Sequence, residues 1–90
     1  MLMRLDEKDN VAVILSDGKI GETEKCGKDE IVLLNDIPFG HKCALENIKK
    51  GDLIIKYGYP IGYATSDITK GGIVREFNME GMRGRGDLNR

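Results

Sequence analysis

Ninety residues with 14 Lys and Arg against 15 Asp and Glu, a formal net charge of −1, make one small domain and no general nucleic-acid binder. A chain this short buries roughly 60–65% of its unfolded surface, so its core is thin and a partner surface could add to it. No run approaches the roughly 18 apolar residues of a membrane span, and Met1 to Asp9 holds no apolar core of signal-peptide length, so the chain is expected in the cytoplasm with Cys26 and Cys43 as free thiols.

Val11 to Leu15 is a continuous aliphatic run and reads as a buried strand. Ser16-Asp17-Gly18-Lys19 follows as a turn. Lys19 to Lys25 is polar and fits a loop or an edge strand. Glu30 to Leu34 is a second strand, closed by Asn35-Asp36. Ile37 is extended, because a residue before proline avoids the helical region. His41 to Leu45 leaves the Gly40 turn as a third strand. Glu46 to Lys50 reads as one helical turn stopped by Gly51. Leu53 to Tyr57 and Ile61 to Ala64 are further strands, and Ile73 to Phe77 is the last. Glycines at 40, 51, 58, 62, 71 and 72 punctuate these runs and imply a much-turned β structure.

No stretch keeps a 3.6-residue apolar period over three turns. The expected fold is all-β, with six or seven short strands and short helical turns. Val11, Val13, Ile31, Leu33, Ile55, Ile61 and Val74 form its core. The domain spans 1–78, and 79–90 is a flexible Gly/Arg tail, either solvated or touching an acidic partner. No long internal repeat is visible. Ile48-Lys-Lys-Gly-Asp and Ile68-Thr-Lys-Gly-Gly echo each other, and shared turn chemistry accounts for that.

His41, the single histidine, stands after a proline–glycine bend. It reads as a ligand, an acid/base or a hydrogen-bonded surface residue. Lys42 and Lys56 are the next polar candidates. Lys56 lies in Leu53-Ile-Ile-Lys-Tyr57, facing solvent or a pocket that holds an anion. Alternation puts Leu53, Ile55 and Tyr57 on one face and Ile54 and Lys56 on the other. Zinc is not expected on Cys26, Cys43 and His41, since a structural site wants four nitrogen or sulfur ligands. There is no phosphate-cradling loop and no dinucleotide fingerprint. Asp9, Asp36, Asp52 and Asp67 flank turns and are explained by Asx-turn bonding. Arg85-Gly86-Asp87 is too short a match to an adhesion motif to carry weight.

Several segments combine into a resemblance. Asp9-Asn-Val-Ala-Val, Ile37-Pro-Phe-Gly-His-Lys-Cys-Ala, Gly51-Asp, Lys56-Tyr-Gly-Tyr-Pro-Ile-Gly and Ala64-Thr-Ser-Asp-Ile resemble the small subunit, or N-terminal domain, of the altronate/galactarate dehydratase family. That domain is of the SAF type, and the resemblance implies a β-clip fold. It also implies work beside a much larger catalytic unit that removes water, or sulfite in the sulfolactate branch, from a hydroxy acid. The implied partners are therefore a large dehydratase subunit and a small hydroxy-acid substrate, with no nucleic acid and no membrane; self-association stays open. A divalent metal, iron or manganese, is implied for the full complex and none for this chain alone.

The family usually carries His-x-His-Asn at the end of the last strand. Here Arg75, Glu76, Phe77 and Asn78 stand there. The resemblance thus points to His41 as the catalytic candidate, with Lys42, Lys56, Arg75 and Asn78 as substrate-binding candidates. Arg75 could hold a carboxylate in place of the missing imidazoles. The alternatives are a non-catalytic SAF-type module that binds a sugar acid or a partner protein, and a structural β-domain.

Overall fold

The computed structural model describes residues 1–82. Nine strands lie among them: β1 (Leu2–Met3), β2 (Val11–Ile14), β3 (Thr23–Cys26), β4 (Asp29–Val32), β5 (Lys42–Ala44), β6 (Leu53–Lys56), β7 (Tyr59–Ala64), β8 (Ile73–Val74) and β9 (Met79–Gly81). They form three antiparallel sheets, ordered β1-β2-β5-β8, β3-β4 and β6-β7-β9. The all-β expectation holds.

The four-stranded sheet separates two cores. Alternate residues of its strands point to opposite faces. Ala12, Ile14, Cys43 and Ile73 enter one cluster with Cys26, Ile31, Leu33 and Ile37. Val11, Ala44 and Val74 enter the other with Ile48, Ile54, Ala64 and Ile68. A sheet covered on both faces needs apolar residues at every position, which is why Val11–Ile14 reads as an unbroken run. The first cluster takes residues of the β3–β4 arm and the second takes residues of the β6–β7 arm.

Those two arms trace one path twice. The Gly21 N–H donates to the Leu33 carbonyl and the Gly51 N–H to the Ala64 carbonyl, each at 2.8 Å; the Gly40 and Gly71 N–H groups reach Ile14 and Ala44 at 2.9 Å. These four glycines have φ of +87°, +87°, +92° and +92° for 21, 40, 51 and 71, a region costly for any side chain. In each arm the two turns lie back to back. Gly18 pairs with Ile37, and Ile48 with Ile68. Each turn also lends a side chain to its neighbour: Asp17 Oδ1 accepts from the Phe39 N–H and Asp36 Oδ1 from the Ile20 N–H. In the second arm Asn47 Oδ1 accepts from Lys70 and Asp67 Oδ1 from Lys50.

This double path corrects several sequence expectations. The Ile48 and Ile68 segments do share turn chemistry, with Gly51 and Gly71 both at φ +92°, and they also face and bond one another. Residues 46–50 form no helical turn, because the Ile48 N–H and carbonyl both go across to Ile68, at 2.8 and 2.7 Å. Asp36 and Asp67 bond across to the opposite turn and not within their own, whereas Asp52 does close its own turn on the Lys49 N–H. The polar stretch before Cys26 contributes an edge strand, β3. The last strand stops at Val74, and residues 75–78 turn. Met79–Gly81, read as the start of the tail, pair with β7; the tail residues 83–90 lie outside the described residues.

Of the expected core, Val11, Ile31, Leu33 and Val74 are buried. Val13, Ile55 and Ile61 are half-buried. In β6 the phase is the reverse of the one expected: Ile54 is fully buried, while Leu53 is 48% exposed. Leu53, Ile54 and Ile55 are all apolar, so period-2 alternation does not choose a face. A bulge between Ile54 and Ile55 shifts the pairing with β7. The β6–β7 hairpin is clamped from outside its arm. Asp9, 4% exposed, accepts from the Asp6, Tyr57 and Gly58 N–H groups. Asn10 bonds both the Leu53 carbonyl and the Ile55 N–H.

Candidate functional site

β5 and β8 run antiparallel, with Lys42 opposite Val74 and Cys43 opposite Ile73. The next step of that ladder brings His41 beside Arg75. Gly40, with its positive φ, aims the chain into β5. After Arg75 the backbone turns and returns as β9. The result is an open groove of about 510 Å³, with Phe39, Gly40, His41 and Lys42 on one side and Arg75, Glu76, Met79 and Gly81 on the other.

Two buried nitrogens of residues that line this groove lack partners. His41 Nδ1 and Arg75 Nε are the buried side-chain nitrogens without a hydrogen bond among the described residues. A buried polar atom left unpaired costs about 1–3 kcal/mol, and neither of these exposes surface to the groove. The rest of the Arg75 guanidinium is held. Nη2 donates to Glu76 Oε1 at 3.3 Å, and its carbon lies 5.9 Å from the Phe77 ring centre.

Charge is mixed here. Burial of Lys42 lowers its ammonium pKa, and the nearby Lys56 charge lowers it further, while Glu76 acts in the opposite direction. The Glu76 carboxyl sits below its ordinary range. A hydrogen bond from its own backbone is the main cause, followed by the bond and the charge of Arg75. Glu76 is therefore ionised throughout the neutral range.

His41, Lys42 and Arg75, named from the sequence, thus share one groove. Lys56 is not on its wall, but its charge reaches Lys42, and its Nζ lies 5.3 Å from the Tyr57 ring centre. Asn78 stands apart. Its Nδ2 donates to the Ile73 carbonyl at 2.8 Å and its Oδ1 accepts from the Arg75 N–H at 2.9 Å. It shapes the turn that presents Arg75 and Glu76. Sequence reasoning misses Glu76, because the motif draws attention to the positions on either side of it. It misses Phe39 and Met79 too, since nothing in an apolar residue marks it as groove lining.

The groove offers a cation one imidazole and one carboxylate. Among the described residues no three His, Cys, Asp or Glu are grouped to hold a metal ion. These residues do not by themselves fit iron or manganese. Among the described residues no helix is long and apolar enough to cross a membrane.

Residues 1–82 match the family model of the altronate/galactarate dehydratase SAF domain. The chain is 42% identical over 69 residues to an altronate dehydratase of Bacillus subtilis (strain 168), covering 77% of this chain and 14% of that protein. It is 42% identical over 76 residues to an altronate dehydratase of Escherichia coli (strain K12), covering 84% of this chain and 15% of that one. It is 46% identical over 48 residues to the (2R)-sulfolactate sulfo-lyase subunit alpha of Paracoccus pantotrophus, covering 53% of this chain and 72% of the subunit. The chain thus spans about a seventh of the altronate dehydratases it matches.

Proposed function

The chain belongs to the altronate/galactarate dehydratase SAF-domain family, and from that premise we propose that it is the small subunit of a hydroxy-acid dehydratase or related carbon–oxygen or carbon–sulfur lyase. It acts with a separate large catalytic subunit. The observation that carries this reading is the single groove lined by His41, Lys42 and Arg75. A substrate carboxylate there meets the cations of Lys42 and Arg75, and Arg–carboxylate bonds are among the strong ones. Removing a proton next to a carboxylate builds negative charge on it, and donors placed in advance stabilise that charge. His41 touches the substrate in this reading, as a donor or as the group that moves a proton. A divalent metal in the full complex would supply further charge stabilisation, from ligands that lie largely outside this chain.

The groove is open, and one small β-domain does not enclose substrate and base away from water. The 90-residue protein alone is therefore expected to turn over no hydroxy acid. Activity is expected on co-expression with a large dehydratase subunit, in a screen over sugar acids and sulfolactate. In that complex His41→Ala lowers activity at least tenfold, a transition-state loss of about 1.4 kcal/mol, while the small subunit stays folded. Turnover by the chain alone, or full activity of the mutant complex, overturns the proposal.

One observation favours a second reading, a non-catalytic module that binds a sugar acid. Arg75 and Phe77 stand where the family usually has histidines, and Phe77 is 66% exposed. A chain of this kind binds the acid but purifies without a large partner.

A further inference from the structure

We infer that the tip of the β6–β7 hairpin, which carries Tyr57 and Tyr59, is the surface on which the large catalytic subunit docks. The inference rests on the two-subunit reading given above and adds to it the place of contact.

Tyr57 is the single non-glycine residue with a positive φ among the described residues, at +58°. The left-handed region favours Gly, Asn and Asp, and a bulky side chain there is an outlier. The conformation is held from outside the hairpin: Asp9, itself buried, accepts from the Tyr57 and Gly58 N–H groups. The core makes no use of what is held. Tyr57 is 61% exposed and Tyr59 72%, and the Lys56 ammonium lies 5.3 Å from the Tyr57 ring centre. A strained turn kept for a side chain that the fold does not need points to a contact beyond the chain.

The first arm has the matching hairpin without these features. Its tip gives the positive φ to Gly27 and continues with Lys28, Asp29 and Glu30, all exposed, as a solvated turn does. Two aromatic rings beside a cation have instead the composition of an interface anchor. Tyrosine supplies a large contact area on few rotatable bonds and keeps a hydroxyl for a polar contact.

Position selects the occupant. The Lys56 charge acts on Lys42, which lines the groove, so the tip stands close to the groove. The lyase reading needs that groove closed against water by the large subunit. A surface that covers the groove beside Lys42 reaches the tip as well. A second copy of this chain suits the tip less, because a two-fold contact there sets Lys56 against Lys56 of the other copy.

The test measures, by calorimetry, the affinity of the full chain for the large subunit whose co-expression gives activity. Tyr57→Asn is expected to weaken binding at least about tenfold, the loss that one interface anchor gives. It is expected to melt no lower than the wild type, because Asn suits a left-handed turn. Tyr59→Thr, at a position of ordinary φ, is expected to weaken binding too, and it alone decides if Tyr57→Asn lowers the melting temperature. Lys28→Ala, at the tip of the first arm, leaves the affinity as it was. Unchanged affinity in the deciding tyrosine variant, or an equal loss in Lys28→Ala, overturns the inference and leaves the two-subunit reading standing. Self-association of the wild-type chain that Tyr57→Asn abolishes gives the tip to a second copy and overturns it as well. If no large dehydratase subunit co-purifies with the wild type, both readings fall.

Discussion

The two arms of this molecule share a backbone path and fill it differently. In the first, Ile14 and Leu33 are large and fully buried, and Gly18 sits between them. A Cβ on Gly18 would come within 2.5 Å of Leu33 Cδ1 and 2.6 Å of Ile14 Cδ1. In the second arm the matching places hold Ala44, Ala64 and Ile48, all buried. Two large residues around a glycine have become two alanines around an isoleucine. Most of the volume is kept, six side-chain carbons in place of eight, while its source moves, as close-packed interiors favour. The arm tips differ in the same manner. Ile20 and Phe39, 65% and 64% exposed, match Lys50 and Lys70, yet all four N–H groups bond the same kind of side-chain oxygen. Backbone bonding thus fixes the shape of an arm, and side chains fix only what fills and covers it.

The sharpest way to break this comparison is to copy one arm into the other at a single position. Gly18→Ile should cost about 4 kcal/mol by overpacking. Adding Ile14→Ala and Leu33→Ala should recover at least half of that loss in urea unfolding. A triple variant less stable than the single one would show that the arms are not interchangeable in volume.

The matched glycines offer a second break. A Cβ added at Gly40 would meet nothing within 4 Å, whereas one added at Gly71 would overlap the Val32 carbonyl oxygen. Gly71→Ala should cost about 3 kcal/mol or more and Gly40→Ala about 1 kcal/mol, the backbone share alone. Equal costs from thermal unfolding would remove the contact as the cause.

Asp9 sharpens the difference between the hairpins, since its backbone bonds to Tyr57 and Gly58 serve the β6–β7 arm and its bond to Asp6 braces the approach to it. Asp9→Ala should cost about 2–3 kcal/mol, the loss of charge-assisted bonds to backbone donors. Hydrogen exchange should rise in β6–β7 and leave β3–β4 as it was. Protection lost equally in both hairpins would contradict this.

Cys43 and Val74 hold equivalent, fully buried places, but only the thiol titrates. Burial raises its pKa from 9.0 to about 12, with the neighbouring Cys26 and Glu24 adding to the effect. Below about pH 9 the thiol is neutral in both states and its full contribution is present. Above that the unfolded chain ionises first, and stability falls as the pH climbs towards the folded value. The loss is about 2 kcal/mol by pH ~10.5. Cys43→Val should flatten that part of the alkaline limb in chemical unfolding curves; an unchanged limb would place the loss elsewhere.

The smallest effect concerns the hairpin tips. Tyr57 adopts φ +58° beside Gly58 at +77°, whereas Gly27 takes the positive φ of the first arm. Two left-handed residues in a row suit Asn-Gly better than Tyr-Gly. Tyr57→Asn should stabilise by about 0.5 kcal/mol, and a lower melting temperature would count against it.

Part of this was legible in the residues. Val11–Ile14 and Ile73–Val74 announce strands because both their faces are covered. The convergence of His41 with Arg75 followed from the family motif and the turn at Gly40. The repeat was not legible, since the matched positions carry Gly or Ile, Ile or Ala, Phe or Lys. What repeats is a set of backbone bonds, which leave little trace in side chains beyond Asp, Asn and Gly. Glu76 escapes notice for a related reason: its place on the groove comes from the turn that Asn78 holds, a structural role given to a residue expected in the site.

The sheet order β1-β2-β5-β8 has a kinetic consequence. Each arm closes its turns through bonds within its own stretch of chain, and the second is also clamped by Asp9 and Asn10 from ahead of the first. The sheet needs β2 from before the first arm, β5 from between the arms and β8 from after the second. Its assembly waits until nearly all of the described chain is present. Such distant pairings slow folding, to milliseconds or longer for β-rich domains of similar size. The groove between β5 and β8 is therefore among the last features to appear, and a ligand has no site to find until both arms are home.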